Sequence, residues 1–277
     1  MRRRLLLLAG AAALVPAGYG GSGRPSHFIP DHGVRIRDAV SAEAIRRPDG
    51  SIFLYANSPK GLEGFRSRDG LAFERVKGRL PLGAHPTVVS LPGGKLRMYY
   101  ATAADLPYFP SQMRSAVSKD GFTWFLENGI RLRDVGFGVM EVVALPDGSW
   151  RLYYNDRRPD GTSRILSARS TKGLTFHPER GIRLLSPYAD PAVVPRAGGG
   201  WLMAVSTIEH GKQQRISLAE SKDGLDWTIE REPLVAEADA SNFDPTLLPL
   251  GGDRYRLYYT RRRGALFQVL SGVLERR

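Results

Sequence analysis

The sequence contains no cysteine. Disulfides, thiolate zinc sites, iron–sulfur ligation and cysteine nucleophiles are therefore excluded. Lysine is also scarce, at seven residues against 33 arginines. No apolar run approaches the ~20 residues that cross a bilayer as a helix, and the longest, 5–15, has 11. No amphipathic helical period is visible, and no nucleic-acid-binding module, so nucleic acid is not an expected partner. What is present is 277 residues, room for one large domain or two small ones, with 31 glycines and 19 prolines. That turn-rich composition suits an all-β chain of short strands. A 42% apolar and 9% aromatic content argues against disorder. The net charge of +12 favours anionic partners.

The N-terminus reads as an export signal. Met1-Arg2-Arg3-Arg4 is a positive segment, Leu5 to Val15 is apolar, and small residues follow through Gly23. Residues 1–23 are expected to be a signal peptide of the general secretory or twin-arginine type. A secreted or periplasmic location follows, with no stable membrane insertion after cleavage.

The remaining sequence, 24–277, is built from repeats. Four segments share Ser-x-(Asp/Lys)-Gly-x-x-(Trp/Phe): Ser67 to Phe73, Ser118 to Trp124, Ser170 to Phe176 and Ser221 to Trp227. Their glycines, 70, 121, 173 and 224, are 51, 52 and 51 residues apart. A second element is an apolar strand ending in paired tyrosines: Tyr99-Tyr100, Tyr153-Tyr154 and Tyr258-Tyr259, with degenerate copies at 52–56 and 201–205. A third begins near residues 41, 85, 139, 190 and 244, most clearly as His85-Pro86, Asp190-Pro191 and Asp244-Pro245 before apolar pairs. Each unit reads as four antiparallel strands, the pattern of a propeller blade. The fifth unit is short by one strand. Residues 27–38, with the alternating Val34-Arg35-Ile36-Arg37, can supply it. The expected fold is a single all-β, five-bladed β-propeller of four antiparallel strands per blade, its ring closed by N- and C-terminal strands, which removes free sheet edges.

The repeated turn holds a carboxylate, but its role reads as architectural. A short acceptor bonds turn amides and glycine supplies a left-handed backbone; Lys172 in the third copy fits a position that tolerates loss. The turn resembles the Asp-box of sialidases, shortened by one residue.

Functional residues are better sought where the innermost strands converge on the axis. The strand-start register gives Ser41, His85, Val139, Asp190 and Asp244. Two residues on, it gives Glu43, Thr87, Glu141, Ala192 and Thr246. Five blades, Asp-Pro strand starts and the Ser-x-Asp-Gly-x-x-Trp turns resemble the arabinanase/levansucrase/invertase superfamily, which includes glycoside hydrolase families 43 and 32. The resemblance implies three funnel carboxylates on different blades. Glycoside hydrolysis uses one protonated carboxyl as acid and one ionised carboxyl as base or nucleophile. Asp190 and Asp244 match the Asp-Pro positions, and Glu141, or Glu43 by a cyclic reading of the ring, stands for the acid. The chain departs from the pattern: blade 1 begins Ser41-Ala42-Glu43, blade 2 has His85-Pro86, and the order along the chain is Glu, Glu, Asp, Asp. His85, Tyr108, Phe137, Tyr188 and Arg157 are expected near the funnel as substrate-binding residues.

The leading expectation is an exported glycosidase-like monomer acting on a glycan, acidic glycans being favoured by the charge. No cofactor is required, and the resemblance implies at most a channel calcium near His85. A noncatalytic glycan-binding or scaffold propeller is the alternative, and a sialidase-like exoglycosidase the third.

Overall fold

The computed structural model describes residues 26–103, 111–136, 138–157 and 162–276. The signal segment, Tyr108 and Phe137 lie outside these. Among the described residues no helix is long and apolar enough to cross a membrane.

The chain opens with β1 (Ser26–Pro30) and β2 (Ile36–Arg37). Blade 1 follows as β3 (Val40–Arg46), β4 (Ile52–Ser58), β5 (Gly61–Ser67) and β6 (Glu74–Val76). Blade 2 is β7 (Ala84–Ser90), β8 (Leu96–Ala103), β9 (Ser111–Ser118) and β10 (Phe125–Leu126). Blade 3 is β11 (Glu141–Ala144), β12 (Trp150–Arg157), β13 (Ser163–Ser170) and β14 (His177–Pro178), with β15 (Leu184–Leu185) also on β13. Blade 4 is β16 (Tyr188–Pro195), β17 (Trp201–Thr207), β18 (Ile216–Ser221) and β19 (Thr228–Ile229). Blade 5 is β20 (Ser241–Gly251), β21 (Arg254–Arg263) and β22 (Leu266–Arg276). Its fourth strand is β1, antiparallel to β22 from Ser26↔Arg276 to Pro30↔Gly272. The five-bladed, all-β ring closed by both termini is thus present as expected.

Adjacent innermost strands touch around a complete circle, β3–β7–β11–β16–β20–β3. Each blade is covered on both faces, so its strands read as continuous apolar runs instead of alternating ones; Trp201 to Thr207 is buried at every position. The core consists of five clusters, each spanning one seam between neighbouring blades.

The repeated turn latches these seams. In blades 1, 2 and 4 the carboxylates of Asp69, Asp120 and Asp223 each accept two backbone N–H groups, at 2.8–3.0 Å. The turn's glycine carbonyl then accepts a tyrosine hydroxyl from the preceding blade: Tyr55 to Gly121, Tyr99 to Gly173, Tyr153 to Gly224 and Tyr258 to Gly70, at 2.7–3.0 Å. The turn's aromatic residue meets the same tyrosine edge-on, as in Tyr55–Trp124 and Tyr153–Trp227, with centroids 5.6 and 5.8 Å apart.

The seam between blades 4 and 5 lacks this latch, because Ala204 stands where the tyrosine would be and blade 5 has no such turn. Ion pairs hold it instead. Arg276 on β22 joins Glu220 and Glu230 of blade 4. Arg196 bridges Glu220 and Asp253 at 2.7 and 2.8 Å.

In blade 3 the turn keeps only the bond from Gly173 N to Ser170 Oγ, at 2.9 Å. Lys172→Asp restores the two-amide acceptor of the other blades. It is expected to raise stability by about 1 kcal/mol, read as a higher midpoint in urea unfolding.

Candidate functional site

Four of the five innermost strands carry a residue in the left-handed region near their start: Ser41 (φ 52°), His85 (52°), Asp190 (53°) and Asp244 (50°). Non-glycine residues seldom adopt this conformation, and such strain concentrates at functional sites. Each coincides with a register shift against the second strand. In blade 3 Gly138 takes the conformation (φ 77°). A Cβ there would lie 2.3 Å from Asp190 Oδ1. The glycine thus makes room for a carboxyl leaning in from blade 4.

The preceding blade fixes these kinks. The N–H of His85 donates to Asn57 Oδ1 (2.9 Å), that of Asp190 to Asn155 Oδ1 (3.1 Å), and that of Asp244 to Ser206 Oγ (3.1 Å). Ser41 N reaches Thr260 Oγ1 at 3.3 Å. Blade 2 has Ala101 at this position; Val139 N, one blade on, donates to Asp190 Oδ1 at 3.2 Å. These polar residues directly follow the aromatic or apolar pair of the second strand. Sequence reasoning passed over them, although their recurrence at that offset was readable.

Ser41, His85, Asp190 and Asp244 form one polar ring. Ser41 Oγ donates to Asp244 Oδ2 at 2.7 Å, Ser41 N donates to the same oxygen at 3.1 Å, and His85 Nδ1 lies 3.1 Å from Ser41 Oγ. Ser41, Asp190 and Asp244 are 2–6% exposed, whereas His85 keeps partial exposure. Burial pushes the Asp190 carboxyl up to about 7, with the Asp244 charge adding to the push. Burial likewise pushes Asp244 up to about 6, against the two Ser41 hydrogen bonds. Burial holds His85 below its ordinary value, and Asp190 opposes that.

Glu43 and Glu141 belong to a second, deeper ring. Glu43 accepts from Val88 N (3.0 Å, blade 2) and Thr246 Oγ1 (2.9 Å, blade 5). Glu141 accepts from Thr87 Oγ1 at 3.0 Å, and Val142 N reaches the same hydroxyl at 3.2 Å. Burial pushes Glu43 up to about 7. It pushes Glu141 well above the usual carboxylate range, with the Glu43 charge adding. Both glutamates brace one blade against another.

Tyr188, at the start of β16, packs against the apolar cluster between blades 3 and 4, and its carbonyl accepts from Ser163 Oγ at 3.2 Å. Arg157 ends β12; its side chain lies outside the described residues. Among the described residues no group of three or more acidic or histidine side chains is placed to hold a metal ion, and Ser41 occupies His85 Nδ1. A concavity of about 2300 Å³ lies elsewhere, along blades 4 and 5, and none of the ring residues lines it. Its Arg196, Arg276, Glu220 and Glu230 are already ion-paired.

Fold and site together define a five-bladed propeller with buried acids converging on its axis. No protein-family model and no curated protein matches the sequence. Among solved structures, the chain is similar to a thermostable family-43 glycoside hydrolase, at 14% identity over 88% of this chain and 91% of the other, with a TM-score of 0.69. It is similar to an endo-arabinase from Bacteroides thetaiotaomicron, at 14% identity over 90% and 96%, TM-score 0.67. An N-acetylgalactosamine deacetylase from F. plautii, in complex with blood group B trisaccharide, matches at 11% identity over 91% and 94%, TM-score 0.71. The propeller anticipated from the motifs is therefore the one shared with family-43 enzymes.

Proposed function

We propose that the chain is an exported glycoside hydrolase-like protein that cleaves glycosidic bonds of a glycan, with Asp190 and Asp244 as its acid–base pair. One observation carries the reading: two buried carboxyls, held in strained backbone on adjacent blades, have pKa values raised to about 7 and about 6. The two titrate as a pair. Between those values the favoured singly protonated state keeps a proton on Asp190 and the charge on Asp244. A protonated Asp190 donates to the leaving oxygen, and an ionised Asp244 is the final acceptor of the water proton. The structural neighbours include enzymes whose names specify arabinan and galactan chemistry, which supports a glycan as substrate.

The test is a panel of aryl glycosides and polysaccharides scored for released reducing ends. On whichever substrate the protein cleaves, Asp190→Asn and Asp244→Asn should each lower turnover by about 10²–10⁴, with the folded circular-dichroism spectrum kept. Glu141→Gln should retain most activity, since its oxygens are engaged across the blades. Full activity in both aspartate variants would remove this assignment.

A second reading is a noncatalytic glycan-binding propeller. It is favoured by Ser41 and His85 standing where the related motifs carry carboxylates. It predicts retention on a glycan array with no product released.

A further inference from the structure

We propose that His85 is the site's proton-exchanging residue towards the funnel, and that Ser41 connects it to Asp244 so that a proton taken up at His85 Nε2 is delivered to the buried carboxyl. The inference deepens the hydrolase reading and rests on it only for the identity of the reaction.

The geometry is a chain of three groups on three blades. His85 Nδ1, Ser41 Oγ and Asp244 Oδ2 follow one another at 3.1 and 2.7 Å. Asp244 and Ser41 are both buried, at 6% and 2% exposure. His85 alone among the ring residues keeps partial exposure. Its Nε2 makes no hydrogen bond to any described residue, while Nδ1 is engaged. The order of groups is unlike a serine nucleophile with a histidine base, because the serine here lies between the histidine and the carboxylate.

Two proton arrangements satisfy every bond. With Asp244 ionised, Ser41 N–H and Oγ–H both donate to Oδ2, Oγ accepts from His85 Nδ1–H, and Nε2 is a bare acceptor. When Nε2 takes a proton from water, an O–H bond of water breaks and Nε2–H forms. The Nδ1–H proton then passes to Ser41 Oγ, and the Oγ–H proton passes to Asp244 Oδ2. The imidazole ends neutral, now as a donor at Nε2, and Asp244 ends protonated. The reverse sequence returns the proton from Asp244 through Ser41 and His85 to water. Burial, which disfavours the imidazolium, favours this relay over storage of charge on the ring. The charged groups bearing on the relay are Asp190, which faces both His85 and Asp244, and Glu43, two residues beyond Ser41 and tied to Val88 and Thr246.

The left-handed backbone supplies a clean variant. At φ 52° glycine is less strained than serine, so Ser41→Gly removes the hydroxyl and keeps the N–H that Asp244 uses. The full chain, labelled with ¹⁵N-histidine, is followed by long-range ¹H–¹⁵N NMR from pH 4.5 to 8.5. His85 is assigned among the five histidines by the signal missing in His85→Gln. Wild-type protein should show Nδ1–H with a bare Nε2 at pH 8, converting to Nε2–H as pH falls through about 6, where Asp244 takes its proton. Ser41→Gly should abolish that conversion, and Asp244→Asn should make the tautomer independent of pH. An Nε2–H tautomer in wild type at pH 8 overturns the relay. So does a Ser41→Gly curve superimposable on wild type. Should Ser41→Gly fail to fold, the wild-type and Asp244→Asn tautomers decide alone. The expected tautomers without any glycan cleavage would keep the relay and sink the hydrolase reading; cleavage with the wrong tautomer would do the reverse.

Discussion

Gly121→Ala should lower the unfolding free energy by about 2–5 kcal/mol, a loss of roughly 5–15 °C in melting temperature. Gly121 sits at φ 83°, where an L side chain costs about 1–2 kcal/mol. Its new Cβ would lie 2.3 Å from Phe53 Cε2 and 3.0 Å from Tyr55 Oη. Overpacking of that kind adds about 1–3 kcal/mol. Phe53 cannot retreat easily, because it already stacks on Phe122 with centroids 4.6 Å apart. The control is Gly148→Ala, at φ 81° with nothing within 4 Å of the added carbon, where only the backbone cost applies. Thermal melts of the two variants separate the close approach between blades from the turn conformation. Equal losses would mean that the latch contributes nothing.

Stability should fall as pH rises from about 4 to 8. Asp190 and Glu43 are pushed up to about 7, Asp244 to about 6, and Glu141 well above its ordinary range. Unfolded, these carboxyls titrate near 4. Between those limits the folded protein binds more protons than the unfolded chain, so each unit of rising pH removes stability. Their contribution is whole below about pH 4 and is lost as pH climbs through 7. Each whole unit separating folded from ordinary values is worth about 1.4 kcal/mol, so four such groups amount to about 5 kcal/mol or more. The turn carboxylates Asp69 and Asp120 act oppositely. Held down near 2 by turn hydrogen bonds, their contribution is present above about pH 4 and is lost as pH falls towards 2. Calorimetric melts across pH should peak between about 4 and 5. Glu43→Gln should flatten the neutral limb and raise stability at pH 8. A melting temperature that climbs steadily from pH 4 to 8 would contradict this account.

The ring of blades was legible because its punctuation repeats: four glycines at nearly constant spacing can only be one turn used again and again. Legibility stopped at what crosses a seam. Register placed Glu43 and Glu141 two residues beyond the strand starts, but it cannot show that Thr246 and Val88 N of neighbouring blades consume the Glu43 oxygens. Likewise it offered Val139 for the first ring, whereas Gly138 bends and Asp190 fills the space. The polar residues after the aromatic or apolar pairs, Asn57, Asn155, Ser206 and Thr260, bond an N–H one blade away, a partner that no local pattern announces. The closing segment held a further sign. Gly33-Val34-Arg35-Ile36 repeats Gly129-Ile130-Arg131-Leu132 and Gly181-Ile182-Arg183-Leu184. Arg35, Arg131 and Arg183 each donate to the carbonyl of the following turn's leucine, at Leu71, Leu174 and Leu225. The N-terminal residues are therefore the displaced end of blade 5.

That displacement has a kinetic side. Four blades can dock in the order they are made, each on its predecessor, through contacts of modest sequence separation. The fifth cannot be finished that way, since Arg276 must find Ser26 across 250 positions. Until β22 exists, β1 has no strand to pair with, and the whole structure stays an open arc. Closing so long a loop is entropically costly and slow. The rate at which this protein becomes functional is then governed by the meeting of its two ends, with the axial site assembled only when the circle is complete.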